Sequence, residues 1–548
     1  MDIKQQIEQA LINAVKAAVS AGELSEGGTL PPILLEEPPN KELGDFATNF
    51  AMQSARIFHQ PPKKIAEILG THITGSWLDH AEVAGPGFLN FYLKKDVIAD
   101  TLRDILRTGE NYGALPPKDL PPIQVEYVSA NPTGPLHVGH GRGAAVGSAL
   151  VKLLRKAGYE VQSEYYVNDA GKQMDLLAIS VNARYLERLG QKIVFPENGY
   201  HGADIIDTAQ RIIDRDGDRY LALSEEERLE KFKDIAYKEK LAVLREDLAD
   251  FRVTFDRWFS ERTLHPEAVQ RVVDVLLERG TAYEKDGAVW LRSTDYGDDK
   301  DRVIFRDNGV PTYLAADIAY HDDKYRRGYG RLINIWGADH HGYIARLKAA
   351  VHFLGYDESR LEIILMQMVN LLKDGQTYKM SKRAGNAILM SDVLAAIGRD
   401  AMRFIFISKK GETPLEFDVD ELAREDSSNP IFYINYAHAR VNQIFTKAGK
   451  CEADVLGADF GALDEAGLGL AFAALSLNEI LNDAFNSRGL QKLPDFLKAL
   501  AADFHKYYNE NRVVGSENED AKLKLFALVA LSIRTAFALM GLSAKEKM

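Results

Sequence analysis

The strongest constraint on the fold of this chain is a pattern of strand, turn, helix and strand that begins at residue 123. Residues 123–127 alternate between apolar and polar types, which predicts a β-strand. A glycine- and proline-rich turn over 131–141 then leads into a predicted helix at about 144–157, and a second strand pattern covers 160–167. Elements in this order form the first half of a nucleotide-binding α/β unit with a parallel sheet.

The chain divides into several predicted domains, because its 548 residues exceed the roughly 250–300 at which one hydrophobic core stops growing. Prolines make 111–122 a linker between an N-terminal α/β domain over 1–110 and a catalytic domain over 123–419. Within the catalytic domain, 168–300 is charged and mostly helix-patterned, which predicts an insertion. Apolar residues recur at helical spacing in 420–548. The predicted fold class is therefore multidomain α/β, with a Rossmann-like parallel-sheet catalytic domain and an all-α C-terminal helical bundle.

Three shorter patterns add elements to this outline. Residues 1–24 predict an amphipathic helix, and 332–336 predicts another strand. Residues 361–366 are nearly continuously apolar, which is typical of a strand buried on both faces of a parallel sheet.

Composition limits the classes of protein that the chain can belong to. No uninterrupted apolar run approaches the roughly 18 residues of a membrane span, and the N-terminus lacks the basic start and apolar core of a secretory signal. Cys451 is the only cysteine, which excludes disulfides within the chain and cysteine-based zinc sites. We therefore expect a cytoplasmic protein with no membrane partner. A net charge of −13 argues against a DNA partner held by bulk charge, although a helical region can still present a basic face to RNA.

The first chemical signal is His137-Val138-Gly139-His140, at the predicted turn from strand to helix. Two imidazoles at this spacing, with little bulk at Gly139, can place two donors against phosphate oxygens, and the helix N-terminus adds positive potential. Histidines at this spacing can also bind zinc. A carboxylate of the His-Glu-x-x-His type is missing here, so phosphate binding is the preferred interpretation and no metal site is predicted.

The second signal, far downstream, is Lys379-Met380-Ser381-Lys382-Arg383. Lysine ammonium groups act as mobile charges on phosphates, and Ser381 with its neighbouring N–H groups can bind the same oxygens. Gly375 and Gly385 flank the segment, as suits a loop that closes over a nucleotide. An isolated segment of this kind could equally be a solvated basic loop. Together the two signals provide the positioning and charge neutralisation that adenylate formation requires.

Longer blocks around both signals resemble the arginyl-tRNA synthetases, a family of class I aminoacyl-tRNA synthetases. The resemblance runs in order through nearly the whole chain. The matching blocks are NKELGDFATN at 40–49, AGPGFLN at 84–90, SANPTGPLHVGH at 129–140, YVNDAGKQ at 166–173, TYLAAD at 312–317, GADHHGY at 337–343 and YAHAR at 436–440.

This resemblance implies an enzyme that ligates L-arginine to its cognate tRNA(Arg) through an arginyl-adenylate, using ATP with Mg²⁺ and releasing AMP and pyrophosphate. It suggests a monomer, transfer to the 2′-hydroxyl of the terminal adenosine, and activation of arginine only with tRNA bound. It makes His137, His140, Lys379 and Lys382 catalytic. The ATP-binding residues that it implies are Gly139, Asp339, Met380, Ser381 and Arg383.

Arginine recognition requires carboxylates and other acceptors, because a guanidinium offers five fixed N–H donors and a permanent charge. The resemblance places Asp317 in that pocket, with Tyr313 one helical turn earlier on the same face. It positions Glu126 and Asn131 to bind the substrate's α-ammonium and carboxylate groups, and it leaves open which residue binds which group. Asp339 would line the nucleotide or the amino-acid pocket. The candidate arginine-binding residues are Glu126, Ser129, Asn131, Tyr313 and Asp317.

His340 and His341 invite a metal or catalytic-base interpretation. On an extended strand, adjacent side chains point to opposite faces and cannot chelate one ion. We therefore predict a polar wall of the nucleotide pocket.

Candidate tRNA contacts lie in the helical C-terminal region, where Tyr436, His438 and Arg440 precede a second group that includes Tyr507 and Tyr508. Aromatic rings beside a guanidinium suit unpaired anticodon bases. The resemblance assigns the outer corner of the tRNA to the N-terminal domain. Two competing functions are a small-molecule nucleotidyltransferase with the His-x-Gly-His fold and a non-catalytic tRNA-binding homologue. The helical C-terminal third argues against the first, and the intact signature residues argue against the second.

Overall fold

The computed structural model describes residues 3–36, 38, 43–94, 105–373, 375–377 and 388–548. The chain forms two compact units. One comprises Met1–Gly109, Phe445–Gly469 and Arg512–Leu528, and the other comprises Glu110–Ile444, Leu470–Asn511 and Val529–Met548.

The N-terminal region contains a small antiparallel sheet with helices around one core. The amphipathic helix predicted over 1–24 is confirmed, since its apolar face is buried against the helix at 62–72 and the sheet. The sheet order is β1-β2-β4-β3. The elements are α1 (Ile3–Ser20), β1 (Leu35–Glu36), β2 (Phe46–Thr48), α2 (Phe50–Gln53), α3 (Ala55–Phe58), α4 (Pro62–His72), β3 (Leu78–Ala84) and β4 (Phe88–Leu93).

The central region is built on a parallel five-stranded sheet whose strands, in spatial order, are Leu361–Met366 (β12), Arg331–Gly337 (β11), Ile123–Glu126 (β5), Val161–Val167 (β6) and Arg257–Ser260 (β7). The strands predicted from residues 123, 160, 332 and 361 are all present, and the last matches its predicted bounds. The elements up to this last strand are β5 (Ile123–Glu126), α5 (Val138–Lys156), β6 (Val161–Val167), α6 (Lys172–Arg188), α7 (Ala203–Asp216), α8 (Glu225–Asp250), β7 (Arg257–Ser260), α9 (Glu267–Glu278), β8 (Ala282–Lys285), β9 (Ala288–Leu291), β10 (Arg302–Phe305), α10 (Tyr313–Arg326), β11 (Arg331–Gly337), α11 (Ile344–Phe353) and β12 (Leu361–Met366).

The single insertion predicted over 168–300 is wrong as a unit. Its residues Arg257–Ser260 form β7, the edge strand of the parallel sheet, paired with β6. Before β7, helices α6, α7 and α8 pack around their own core, and after it β8, β9 and β10 form a separate antiparallel sheet. A four-residue strand in a charged region has too few positions to show a period of two, so the sequence pattern concealed it.

Helix α5 begins at Val138, earlier than the predicted 144, because His137 caps it. Its glycines weakened the helical pattern. One of them lets the helix approach the sheet closely, since a Cβ on Gly147 would lie 2.3 Å from Cγ of Tyr127, next to β5.

The C-terminal third is helical, as predicted. Helix α19 (Glu519–Met540) is long and apolar enough to span a membrane, but 89% of its most apolar window is buried within the protein, as in a core helix. The remaining elements are β13 (Val369–Lys373), β14 (Gln376–Thr377), α12 (Met390–Ile397), α13 (Arg399–Ile407), β15 (Leu415–Asp418), α14 (Val419–Leu422), α15 (Pro430–Ala448), α16 (Glu465–Leu475), α17 (Leu477–Ser487), α18 (Lys492–Glu510) and α19 (Glu519–Met540).

Three cationic side chains bind the carbonyl groups at the end of α19. Lys152 Nζ donates to the Ala538 carbonyl at 3.2 Å, and Arg403 Nε donates to the Met540 carbonyl at 2.7 Å. Arg252 donates to the Gly541 carbonyl at 3.0 Å. Cations at a helix C-terminus satisfy free carbonyl groups and interact favourably with the helix dipole. The end of the chain is therefore attached to α5, α13 and the turn after α8.

The packing of α5 on β5 yields a stability prediction. Gly147→Ala should lower the midpoint of thermal unfolding, because the new methyl group overlaps Tyr127 and overpacking costs about 1–3 kcal/mol. Gly143→Ala in the same helix is the matched control, since nothing lies within 4 Å of its Cβ position and alanine favours helix. Circular dichroism melts of both variants measure the difference. Equal melting of Gly147→Ala and the unmodified chain would contradict the close approach.

Candidate functional site

Two paired imidazoles form the start of α5. His137 Nδ1 accepts hydrogen bonds from the N–H groups of Gly139 and His140, at 3.1 and 3.4 Å, and His140 Nδ1 accepts from the His137 N–H at 3.3 Å. The rings stack with their centroids 3.5 Å apart. Because both Nδ1 atoms are acceptors, the proton of each neutral ring is on Nε2. The turn therefore presents two Nε2–H donors at a helix N-terminus.

Both imidazoles are neutral at physiological pH. Burial and, to a smaller extent, the neighbouring His137 together lower the pKa of His140 to about 3. Burial also lowers the pKa of His137, against a smaller opposing effect of Asp339. The histidines can therefore act as hydrogen-bond donors to phosphate, while positive charge has to come from other groups.

The segment that follows the second signature is held against the first. The Val138 N–H donates to the Ile388 carbonyl at 2.9 Å, and the Met390 N–H donates to the Leu136 carbonyl at 2.8 Å. The fully buried Arg142 of α5 donates to the carbonyl groups of Gln367 and Lys410. The signature residues Lys379, Met380, Ser381, Lys382 and Arg383 lie outside the described residues.

A second set of groups, mainly carboxylates, lies at the carboxyl edge of the parallel sheet. Asp317, on α10, accepts a hydrogen bond from the Tyr343 hydroxyl. Burial raises the pKa of Asp317 to about 7, the Tyr343 hydrogen bond opposes this shift, and the carboxylates of Glu126 and Glu261 add to it. The Asp317 side chain is nevertheless partly exposed, so a ligand can reach it. A cationic partner stabilises the charged form of such a carboxylate and lowers its pKa.

Glu126, at the end of β5, is buried and already has two partners. One of its oxygens accepts from Lys324 Nζ at 2.5 Å, and the other accepts from Ser129 Oγ at 2.9 Å. Ser129 Oγ also accepts from the Tyr166 N–H at 3.1 Å. Val128 and Ser129 both have positive φ, 69° and 43°, which is strained for a β-branched residue and typical of functional turns.

Two further side chains belong to this pocket although no motif in the sequence marks them, Glu261 and Lys324. Glu261 is only 4% exposed and directly follows β7, the strand that was assigned to the insertion. Recognition of β7 would have revealed it, because residues after parallel strands meet at one edge of the sheet. Tyr343 belongs to a matched block, but no role had been given to it.

Other candidate residues lie at more open positions. Tyr313, at the start of α10, is 51% exposed, and Asn131 is also exposed. His340 and His341 lie on a 3₁₀ turn, Ala338–Tyr343, so the expectation of an extended strand there is wrong. Asp339 is exposed and lies 3.5 Å from Nε2 of His340. Within the described part of the chain, no group of three or more histidine, cysteine or acidic side chains is arranged to bind a metal ion.

Three of the predicted RNA contacts form a stacked cluster in the C-terminal region, which consists of Tyr436, Arg440 and Tyr508. The Arg440 guanidinium lies 4.3 Å from the ring centroid of Tyr436 and 4.7 Å from that of Tyr508. It also donates to the Tyr436 hydroxyl at 2.9 Å. His438 lies away from this surface, since it is 2% exposed and its Nδ1 is 2.9 Å from the Lys545 carbonyl. Tyr507 is buried as well.

Three family models match the chain in sequence order. They are the arginyl-tRNA synthetase N-terminal domain at residues 1–93, the catalytic domain of class I (R) tRNA synthetases at 101–445 and the DALR anticodon-binding domain at 434–548.

Curated relatives agree with these matches. The chain is 51% identical over 519 residues to an arginine–tRNA ligase of Campylobacter concisus, which covers 94% of this chain and 97% of the relative. It is 50% identical over 515 residues to that of Campylobacter jejuni serotype O:2, with 94% and 96% covered.

Solved structures have the same fold. A Campylobacter jejuni structure assigned as an arginyl-tRNA synthetase has a TM-score of 0.79 at 51% identity and covers 83% of this chain and 100% of its own. The Thermus thermophilus arginyl-tRNA synthetase has a TM-score of 0.75 at 21% identity, with both chains fully covered, and supports the fold alone. From the three domain models and the identity over nearly its whole length, the chain belongs to the arginyl-tRNA synthetase family of class I aminoacyl-tRNA synthetases.

Proposed function

We propose that the chain ligates L-arginine to tRNA(Arg) at the carboxyl edge of its parallel sheet. An oxygen of the arginine carboxylate attacks the α-phosphorus of ATP, and the bond to pyrophosphate breaks. The 2′-hydroxyl of the terminal adenosine then attacks the carbonyl carbon of arginyl-adenylate, and AMP leaves. The observation that carries the proposal is a group of carboxylates at the same edge of the sheet as a helix N-terminus with two neutral imidazole donors. Ligase relatives matching 94% of the chain support neither alternative function.

The phosphate half of the site would use His137 and His140 as preorganised Nε2–H donors. Such donors stabilise charge that develops in the transition state without needing to reorganise. Because both rings are neutral, we assign charge neutralisation to Lys379, Lys382 and a Mg²⁺ ion that accompanies ATP. Asp339 is near enough to influence the pKa of His137, which supports a place beside the nucleotide.

The amino-acid half would hold the guanidinium with Asp317, and Glu261 supplies a second carboxylate beside it. Free lysine as a competing substrate lacks a planar fork of donors. It would leave acceptors of the pocket unpaired and would therefore be rejected. Ser129, Asn131 and Tyr313 remain candidates for the ends of the substrate. We assign Glu126 to the α-ammonium, because each of its carboxylate oxygens can accept a further hydrogen bond.

The tRNA would meet the stack of Tyr436, Arg440 and Tyr508, where flat faces are available to unpaired anticodon bases. We leave His438 out of this surface because it is buried. A single exposed cysteine suits the reducing cytoplasm, which we propose as the location, and we propose a monomer.

The histidine turn can be tested by arginine-dependent exchange of pyrophosphate into ATP, measured with and without tRNA. His137→Ala and His140→Ala should each reduce the exchange rate by about 10²–10⁴-fold, with small changes in the KM for ATP, because the lost donors act mostly in the transition state. His352→Ala, at a half-exposed surface position, is the matched control. Near-normal exchange in both turn variants would rule out this role. Exchange by the unmodified chain without tRNA would show that activation does not depend on tRNA.

The arginine pocket can be tested by Asp317→Asn, which keeps the shape and removes the charge. The KM for arginine should rise by an amount that corresponds to about 2–5 kcal/mol, while the KM for ATP changes little, because a charge-assisted pair is lost. Asp323→Asn is the control on the same helix, since Asp323 pairs with Arg327 instead. An unchanged KM for arginine would assign the guanidinium to Glu261 or another carboxylate.

The RNA-binding cluster can be tested by Arg440→Ala. Loss of the guanidinium unstacks Tyr436 and Tyr508, and we expect the KM for tRNA in the charging reaction to rise about tenfold, as for one stacked base. Lys498→Ala removes one exposed cation from the same region without disturbing the stack. Equal effects of the two substitutions would indicate general charge attraction instead of stacking.

A further inference from the structure

A chain of hydrogen bonds links Glu126 and Asp317, two of the acidic residues of the arginine pocket, through the protein interior. Lys324, on α10, is 0% exposed, and its Nζ donates to Glu126 at 2.5 Å and to Asn334 Oδ1 at 2.9 Å. Asn334 Nδ2 donates to His321 Nε2 at 2.8 Å. His321 Nδ1 in turn donates to the main-chain carbonyl of Asp317 at 2.8 Å. The side chain that balances Glu126 therefore also fixes the turn of α10 that carries Asp317.

The hydrogen bonds of this chain agree with the protonation states of His321 and Lys324. His321 accepts at Nε2 and donates at Nδ1, which requires a neutral ring, and burial lowers its pKa well below the usual value. Lys324 Nζ also lies 4.3 Å from the ring centroid of Tyr320. A buried ammonium is costly unless it is paired and hydrogen-bonded, and these partners meet that requirement.

The charge of Lys324 matters because carboxylates dominate this pocket. Burial and neighbouring carboxylates raise the pKa of Asp317, and the positive charge of Lys324 opposes this rise. The titratable groups that face Asp317 are Glu126 on β5, Tyr166 on β6, Glu261 after β7, Lys324 on α10 and Tyr343 before α11.

We propose that Lys324 is a positioning residue for arginine recognition, which keeps Glu126 paired, holds the Asp317 turn of α10 and preserves the negative charge of Asp317 for the guanidinium. This inference rests on the proposed function, in which Asp317 faces the guanidinium. Lys324 does not touch the substrate and acts through its partners.

A pH dependence of arginine binding follows from the same arrangement. The pKa of Asp317 in the free protein is about 7, and a bound guanidinium lowers it by favouring the charged form. Arginine therefore binds more tightly as pH rises through this value, and the KM for arginine falls. Removal of Lys324 takes away an effect that lowers the pKa of Asp317, so the pH midpoint moves upward. Removal of the Glu126 charge takes away an effect that raises it, so the midpoint moves downward.

The test is the pH profile of the KM for arginine in pyrophosphate exchange with tRNA present, measured between pH 6 and 9 for Lys324→Met, Glu126→Gln and the double variant. The KM for ATP over the same range is the internal control. We expect the midpoint to rise in Lys324→Met, to fall in Glu126→Gln and to return towards that of the unmodified chain in the double variant. Each unit of upward movement corresponds to a rise of about tenfold in KM at pH values below the midpoint.

A loss of packing alone changes the size of KM and leaves the midpoint in place, so an unmoved midpoint in folded Lys324→Met overturns the inference. If Lys324→Met does not fold, the Glu126→Gln variant provides the test. A pH midpoint that does not fall in Glu126→Gln then overturns the inference. Asp317→Asn separates this inference from the proposed function. If Asp317→Asn keeps the normal KM for arginine and its pH dependence, then the assignment of Asp317 itself is wrong.

Discussion

Parallel pairing of five strands is the constraint on which the candidate site depends. Because β5, β6, β7 and β11 run in the same direction, the residues that follow them meet at one edge of the sheet. That edge receives the His137 turn after β5, Glu261 after β7 and the turn at 338–343 after β11. Helix α5, which carries the His137 turn, lies close against the sheet, because Gly147 has no side chain where it meets Tyr127.

Burial has opposite chemical effects in the two halves of the site. In the phosphate half it lowers the pKa of His137 and His140, and the hydrogen bonds to Nδ1 leave each ring with one outward donor. In the amino-acid half it raises the pKa of Asp317, so this carboxyl gains its full charge when a cation arrives. In the proposed function, the same exclusion of water therefore provides neutral donors for the anionic substrate and a responsive carboxylate for the cationic one.

The end of α19 shows how the helical bundle is joined to the catalytic elements. Its last carbonyl groups accept hydrogen bonds from Lys152 of α5 and Arg403 of α13. Arg403 is fully buried and also donates to Ser148 Oγ of α5. Two contacts therefore connect the C-terminal helix to the helix that begins at His137. A displacement of the last turn of α19 would break the hydrogen bonds that its carbonyl groups accept from Lys152 and from Arg403 Nε, so the end of α19 and α5 are energetically coupled.

The sequence by itself determined the features that depend on local patterns. Strand patterns identified the strands at 123, 160 and 332, a nearly continuous apolar run identified the strand at 361, and the helical period identified the helical C-terminal third. Contiguous motifs located the histidine turn and Asp317. The tertiary structure alone decided which of these groups are accessible and what they contact. It placed β7 in the sheet, put Glu261 and Lys324 in the pocket, and buried His438 away from Arg440. These outcomes depend on partners distant in sequence, such as Glu126 for Lys324 and Lys545 for His438. Periodicity cannot predict such pairings, because it reports which face of an element is apolar and not which element will cover it.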